Sequence, residues 1–381
     1  MTPPDFGAIR REEFAGITDA IYLNSASIGP QPARTVRRLN EFAALRASPH
    51  RMTDQDLFAE LIRARELTAR MLNVSAGEVA LAFNTSYGLN MAARGLPLER
   101  GDIVVASDRE FPANVYPWMR LAERGVTLEL LPVTPEGWPD EARLLERMAD
   151  PRVRAVAVSL VQFSNGYKVD LAALSARARA TDTFLVVDAI QGLGVVPVDL
   201  AATPVDILSC GGQKWLLSPW GSGFVYVRRE LIAAVEPVVM GWMAFEGTDD
   251  FTRLTDYDPN LRDDARRFEM VSLPFQDFAG FNTSMELLLE VGVANIAAHL
   301  AALHAPVKEW AARRGVRISS PTGAHGSGIV CVAIPKPAEA YKAIRAQGVT
   351  ASVREGAIRL SPHLFNTVDE MVRVTEMLDR A

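Results

Sequence analysis

Lys214 lies in the glycine-rich run Gly211-Gly212-Gln213-Lys214-Trp215, twenty-six residues after Asp188, which closes the apolar run Phe184-Leu185-Val186-Val187. A primary amine condenses with an aldehyde once its proton is removed, and a loop of small residues lets a flat partner approach it. A carboxylate at the tip of a buried strand can keep a heteroaromatic nitrogen protonated. Together the two groups meet the needs of pyridoxal 5′-phosphate. Lys214 would form the Schiff base, and Asp188 would pair with the pyridine nitrogen so that the ring can withdraw electrons. Taken singly, Asp188 reads as a buried or capping aspartate and Lys214 as a solvated surface lysine. A lysine between Gly-Gly and Trp is an unusual surface residue, however, and burial would lower its ammonium pKa as the chemistry requires.

Other residues at strand ends could complete such a site. Asn84-Thr85-Ser86-Tyr87-Gly88 offers two hydroxyls, Thr85 and Ser86, at a strand-to-helix turn, where free N–H groups and the helix dipole favour a phosphate. Alone this is an ordinary helix cap; beside the Asp/Lys pair the phosphate reading takes precedence. Phe111, in the aromatic-rich stretch Ser107 to Trp118, could stack on a flat heterocycle, although a lone Phe is more often core. Two amides compete for the cofactor's phenolic oxygen. One is Asn165, whose ordinary role is a turn residue before Gly166; the other is Gln191, three residues past Asp188.

These residues need a frame. Seven short apolar runs (Val79–Phe83, Ile103–Ala106, Thr127–Leu131, Ala155–Leu160, Phe184–Val187, Val205–Leu208 and Phe224–Val227) alternate in part with helical patterns such as Asp140–Met148 and Leu171–Ala180. That alternation predicts an α/β domain with a mostly parallel seven-stranded sheet, whose ligands gather beyond the carboxyl ends of the strands. Thr53 and Asp56 predict a capping box at the start of a helix running to Leu72. Periodicity dissolves between Pro237 and Arg267 and resumes as a helix over Asn282 to Leu303. Short strands and helices then alternate to the C-terminus. The expected division is an N-terminal segment and large cofactor-binding domain over 1–255, with a smaller α+β domain over 256–381.

At 381 residues, 49% hydrophobic and 23% charged, the chain has the composition of an ordinary globular protein. A net charge of −6 argues against a nucleic-acid partner. The two cysteines, Cys210 and Cys331, and five scattered histidines form neither a disulfide framework nor a metal spacing. Met1 to Arg11 has no apolar stretch of signal-peptide type, and no run is long enough to span a bilayer. The expectation is a cytoplasmic enzyme with no membrane partner.

With these motifs assembled, the chain resembles the class V aminotransferase group of pyridoxal phosphate enzymes of fold type I. That group includes cysteine desulfurases, selenocysteine lyases, isopenicillin N epimerase and, more distantly, kynureninase. The resemblance runs from Ile21–Gly29 through Asn84-Thr85-Ser86, Phe111–Trp118, Ser164-Asn165-Gly166, Asp188–Gln191 and the Lys214 loop to Arg359–Thr367. It implies that Lys214 also moves the substrate's Cα proton, and that Phe111 stacks on the ring where desulfurases carry histidine. It implies that Thr85, Ser86 and Gln213 hold the phosphate and that Arg359 clamps the substrate α-carboxylate, a task suited to a planar guanidinium. Ser272 stands where the family has a threonine that reaches the partner subunit's phosphate, which implies a homodimer with shared active sites.

The departures bear on the reaction. Desulfurases need a nucleophilic cysteine on a mobile loop near the carboxylate-binding arginine. Between Arg313 and Arg359 this chain offers only Cys331, inside the apolar run Gly328–Val332. Gly211 replaces the hydroxyl residue that relatives use for a phosphate contact. The expected activity is Cα deprotonation of an amino acid, completed as transamination or β-elimination. The alternatives are a kynureninase-like hydrolase, an epimerase or cysteine desulfurase, and a non-catalytic cofactor-binding regulator.

Overall fold

The computed structural model describes residues 4–17 and 19–380, so the reading of Met1 to Arg11 falls partly outside the described residues. Strand β1 (Ile21–Tyr22) opens the chain. Then come the seven strands β2 (Val79–Ala82), β3 (Ile103–Ser107), β4 (Thr127–Leu131), β5 (Val153–Ser159), β6 (Phe184–Asp188), β7 (Ile207–Gly211) and β8 (Gly223–Val227). They form one sheet in the order β2-β8-β7-β6-β5-β3-β4. Neighbours from β7 through β6, β5 and β3 to β4 pair in parallel, and only β8 runs against the rest. This is the mostly parallel seven-stranded sheet that the sequence predicts.

The sheet is buried on both faces, which is why its strands read as continuous apolar runs rather than alternating ones. Leu81, Val105, Val156, Val158, Leu185, Val187 and Leu208 point into one core. Ala80, Ala82, Val104, Ala106, Ala155, Ala157, Val186 and Val225 point into the other. Alanine dominates that second face and brings the helix Thr85–Gly95 close to it. A Cβ on Gly88 would lie 2.4 Å from Ser209 Oγ and 2.5 Å from Val225 Cγ2.

The C-terminal unit is a four-stranded antiparallel sheet in the order β12-β13-β10-β9, built from β9 (Arg317–Ile318), β10 (Val330–Ala333), β12 (Ser352–Arg354) and β13 (Ala357–Leu360). The remaining strand, β11 (Val349–Thr350), pairs in parallel with β1. The N-terminal segment is therefore stitched to the C-terminal part of the chain, and Ser25 N–H continues the seam to the Ser361 carbonyl at 3.1 Å.

Helix Asp54–Leu72 starts with the expected capping box of Thr53 and Asp56. The single helix expected over Asn282 to Leu303 is instead two, Phe275–Val291 and Val293–Arg314, bent by 75°. The break is Gly292, whose φ of 83° suits a residue without Cβ. The first of the pair packs on the helices Ala33–Arg46 and Asp54–Leu72, beside the large sheet. Among the described residues no single helix is long and apolar enough to cross a membrane.

The close seat of helix Thr85–Gly95 generates a prediction. Gly88→Ala must push this helix off the sheet, and overpacking of this kind costs about 1–3 kcal/mol. A urea unfolding midpoint lower than that of the wild type is expected; an unchanged midpoint would show that the contact is slack.

Candidate active site

Three parallel strands end at one level. Ser159 of β5 pairs with Asp188 of β6, and Asp188 pairs with Ser209 of β7. Asp188 therefore stands at the carboxyl edge of the sheet, flanked by two small side chains. It is buried, at 3% exposure, and its Oδ1 accepts the Ile190 N–H at 3.0 Å. Burial pushes its carboxyl up to about 6; the Ile190 N–H and the Lys214 amine oppose that shift, while Glu110 adds to it.

Lys214 follows β7 in a turn closed by Gly212 N–H on the Ser222 carbonyl at 2.7 Å and by Ser218 N–H on the Gly212 carbonyl at 3.0 Å. The N-terminal segment lies on this turn: Gly29 N–H meets the Gln213 carbonyl at 2.9 Å, and a Cβ on Gly29 would overlap the Lys214 carbonyl. The Lys214 amine sits 5.7 Å from the centroid of the Phe111 ring, and no hydrogen bond or ion pair to it occurs among the described residues. Burial lowers its pKa to about 8; Asp188 opposes the shift, and the guanidinium groups of Arg359 and Arg354 reinforce it. Amine, carboxylate and aromatic face thus lie near one another.

The start of helix Thr85–Gly95 is fixed against the same edge. Thr85 Oγ1 accepts Gly211 N–H at 2.8 Å, and Ser209 Oγ donates to the Thr85 carbonyl at 2.9 Å. The Thr85 hydroxyl proton stays available, and Ser86 is exposed at the helix's second position. Gly211 has a physical reason to lack a hydroxyl, since a Cβ there would lie 2.6 Å from Gln213 Oε1. The Gln213 side chain fills the space that a serine would take.

The two candidate amides are engaged alike. Asn165 donates to the Gly137 carbonyl at 2.8 Å and accepts Tyr167 N–H at 2.9 Å, ahead of Gly166 at φ 75°, where a Cβ would meet Ile329; one of its amide protons is uncommitted. Gln191 donates to the Ala26 carbonyl at 2.9 Å and accepts Trp215 Nε1–H at 2.8 Å, which leaves one amide proton uncommitted. Ser272 is exposed in the turn before Leu273, with no hydrogen bond among the described residues.

Arg359 is 2% exposed, and its guanidinium ties three parts of the chain together. Nε donates to Ser352 Oγ at 3.2 Å, Nη1 to the Phe163 carbonyl at 2.7 Å and Nη2 to Ser27 Oγ at 2.9 Å. Burial brings its pKa down to about 10. Neither Ser27 nor Ser352 stands out in the sequence, because only the fold brings them to the arginine. Glu110 is a further buried acid of the site that no motif marks. Its buried carboxylate accepts Ser159 N–H at 2.9 Å, Gln162 Nε2–H at 2.6 Å, Asn114 Nδ2–H at 3.2 Å and the Ser159 hydroxyl. The visible signal was an acid immediately before Phe111.

The donor set suits a flat, anionic, aldehyde-bearing cofactor. It offers an amine without a partner, a carboxylate whose Oδ2 takes no hydrogen bond among the described residues, an aromatic face, and a helix N-terminus with hydroxyls. The family described as Aminotransferase class-V matches residues 21–374. The chain belongs to that family. Its cofactor is pyridoxal phosphate, and it is an enzyme of the aminotransferase-like group acting on amino acids. The uncharacterized aminotransferase YcbU of Bacillus subtilis (strain 168) is 29% identical over 308 residues, 81% of this chain and 80% of its own. A probable cysteine desulfurase of Methanothermobacter thermautotrophicus is 29% identical over 298 residues, 76% and 72% of the two chains. The apo structure of a cysteine desulfurase from Thermococcus onnurineus NA1 matches with a TM-score of 0.88 at 21% identity, over 100% of this chain and 98% of its own. It shares the fold.

Only a neutral amine attacks an aldehyde, so covalent uptake of pyridoxal phosphate by the apoprotein should accelerate as pH rises through about 8 and then level off. Asp188→Asn removes the carboxylate that raises the Lys214 pKa and should move this midpoint to lower pH. Stopped-flow absorbance at several pH values checks both; a midpoint near that of an ordinary lysine would contradict the buried setting.

Proposed function

We propose that this class-V enzyme removes the Cα proton of an amino acid with Lys214 as the base, and completes a transamination or a β-elimination without a protein thiol. The observation that carries the reading is the hairpin beside Arg359. Strands β12 and β13 pair from Ser352↔Arg359 to Arg354↔Ala357, so the chain turns through Glu355 and Gly356 alone. Those two residues have φ of 45° and 77°, the tight turn favoured between twisted strands. Nothing there resembles the mobile cysteine-bearing loop on which desulfurases depend.

Neither cysteine offers a substitute. Cys331 is buried in β10, with its Sγ–H on the Ser164 carbonyl at 3.2 Å, and burial pushes its thiol up to about 12. Cys210 is buried in β7, and burial beside Asp188 pushes its thiol up as well. Thiolates are the reactive form, so both sulfurs are inert near neutral pH.

The family resemblance and the positions of the side chains support the following roles for the remaining groups. Pyridoxal phosphate supplies an electron sink conjugated to the substrate's Cα. Asp188 accepts a hydrogen bond from a protonated ring nitrogen, and that cation favours the anionic form of a carboxyl which burial alone disfavours. Thr85, Ser86, Gln213 and the N-terminus of helix Thr85–Gly95 hold the phosphate. Phe111 packs on one ring face, with Phe163 edge-on to it at 5.2 Å between centroids. Gln191 gives its uncommitted amide proton to the phenolic oxygen. Arg359 exchanges its contacts to Ser27 and the Phe163 carbonyl for the substrate α-carboxylate, a stronger, charge-assisted pair. The amine of Lys214, held near neutrality, then takes the Cα proton. The exposed Ser272 fits a homodimer in which it reaches the partner's phosphate.

Mixing the holoenzyme with a panel of amino acids tests the reading. Conversion to the pyridoxamine spectrum indicates transamination; release of pyruvate and ammonia indicates elimination; anthranilate from kynurenine would replace the proposal with a hydrolase. Arg359→Ala should reduce kcat/KM at least about a hundredfold, the scale of a lost charge-assisted clamp, while cofactor loading persists. The double variant Cys210→Ala/Cys331→Ala should keep turnover within a few-fold of wild type, and abolished turnover would overturn the thiol-free route.

A further inference from the structure

The register of the β12–β13 hairpin places a second guanidinium above Arg359. Ser352 lies opposite Arg359, and Arg354 lies opposite Ala357. Because side chains alternate along a strand, Ser352, Arg354, Ala357 and Arg359 all share one face of the hairpin. The bond from Arg359 Nε to Ser352 Oγ shows that this face looks into the site. Arg354 and Arg359 are diagonal neighbours, a relation in which Cα atoms lie about 7–8 Å apart. Arg359 is at the bottom, buried, and Arg354 is at the mouth, exposed.

Arg354 has no acidic partner among the described residues. Its one hydrogen bond runs from Nη1 to the carbonyl of the preceding residue, Val353, at 2.8 Å. The adjacent carboxylate, Glu355, is engaged elsewhere: Arg109, in the loop after β3, takes it at 3.1 Å. That pair joins the hairpin tip to the loop carrying Phe111. The charge of Arg354 is nevertheless felt inside, where it disfavours the protonated forms of both Lys214 and Arg359. The other acids of the site, Asp188 and Glu110, lie buried at the sheet edge with the contacts given above. Were a substrate α-carboxylate to pair with Arg359, the charge of Arg354 would still have no acidic partner among the described residues.

We propose that Arg354 binds a second anionic group on the substrate, so that the preferred substrates are α-amino acids with a short acidic side chain. The inference rests on the reading of Lys214 and Arg359 given under Proposed function. A guanidinium at the mouth and one at the base would bracket a dicarboxylic amino acid, each pairing with one carboxylate. The amide analogue has the same shape but lacks the charge, and so loses only the outer pair.

The test compares aspartate with asparagine, glutamate with glutamine, and alanine as a neutral reference, on holoenzyme loaded with pyridoxal phosphate. The wild type should favour each acid over its amide by about tenfold or more in kcat/KM, the worth of one charge-assisted pair at a partly wet site. Arg354→Gln should bring the acid-to-amide ratio towards one, and Arg354→Lys should retain most of it. Succinate, which has no amino group to react, should perturb the visible band of wild-type holoenzyme more tightly than that of Arg354→Gln. Equal use of acid and amide by the wild type, or the same ratio in Arg354→Gln, overturns this inference while turnover of alanine leaves the Cα chemistry standing. Holoenzyme that converts none of these amino acids overturns this inference, and it overturns the Cα chemistry as well if serine and cysteine, which carry a β leaving group, release no pyruvate.

Discussion

The site holds buried charge without ion pairs. Asp188, Glu110 and Arg359 are buried and Lys214 is half-buried, and none is paired with an opposite charge by direct contact among the described residues. Burying a charge is costly unless hydrogen bonds or a partner compensate it. Glu110 and Arg359 are compensated by neutral donors and acceptors. Asp188 and Lys214 are compensated less, and their pKa values move towards each other: the acid rises to about 6 and the amine falls to about 8. That convergence makes the amine a usable nucleophile and base near neutral pH. Under the proposed reading, pyridoxal phosphate would supply both missing partners.

The architecture keeps this arrangement rigid. Parallel strands β5, β6 and β7 deliver Ser159, Asp188 and Ser209 to one level, and helix Thr85–Gly95 is pinned to the same edge by Thr85 and Ser209. The small sheet contributes Arg359, and the N-terminal segment closes the gap between the units. That segment pairs with β11, bonds Ser361, covers the Lys214 turn and presents Ser27 to Arg359. A single arginine thus senses the hairpin, the loop after β5 and the N-terminal segment. Substrate binding at Arg359 would therefore be coupled to the relative position of all three.

The family spans proteins of different named activity. A family that includes proteins named as aminotransferases and as cysteine desulfurases keeps the same cofactor chemistry, so the reaction is set by what surrounds the substrate. In this chain the segment beside Arg359 is a hairpin with a two-residue turn, flanked by Arg354 and Arg359.

Much of this protein was legible in the sequence. The seven apolar runs, the capping box at Thr53, and the residues Lys214, Asp188, Thr85, Phe111 and Arg359 are local signals, because strand burial, capping and motif order are properties of contiguous residues. Tertiary structure decided what depends on distant partners. The partners of the two amides, Gly137 and Tyr167 for Asn165 and Ala26 and Trp215 for Gln191, are distant in the chain and visible only in the fold. The helix break at Gly292 and the filling of the Gly211 space by Gln213 likewise depend on backbone geometry and packing. Ser27 lies 332 positions from Arg359 in the chain, and no periodicity or spacing connects residues so far apart. The sequence by itself determined the cofactor, because the order of its motifs is a property of contiguous residues. The fold alone decided where the unpaired charges stand, because charge compensation is set by distances in space.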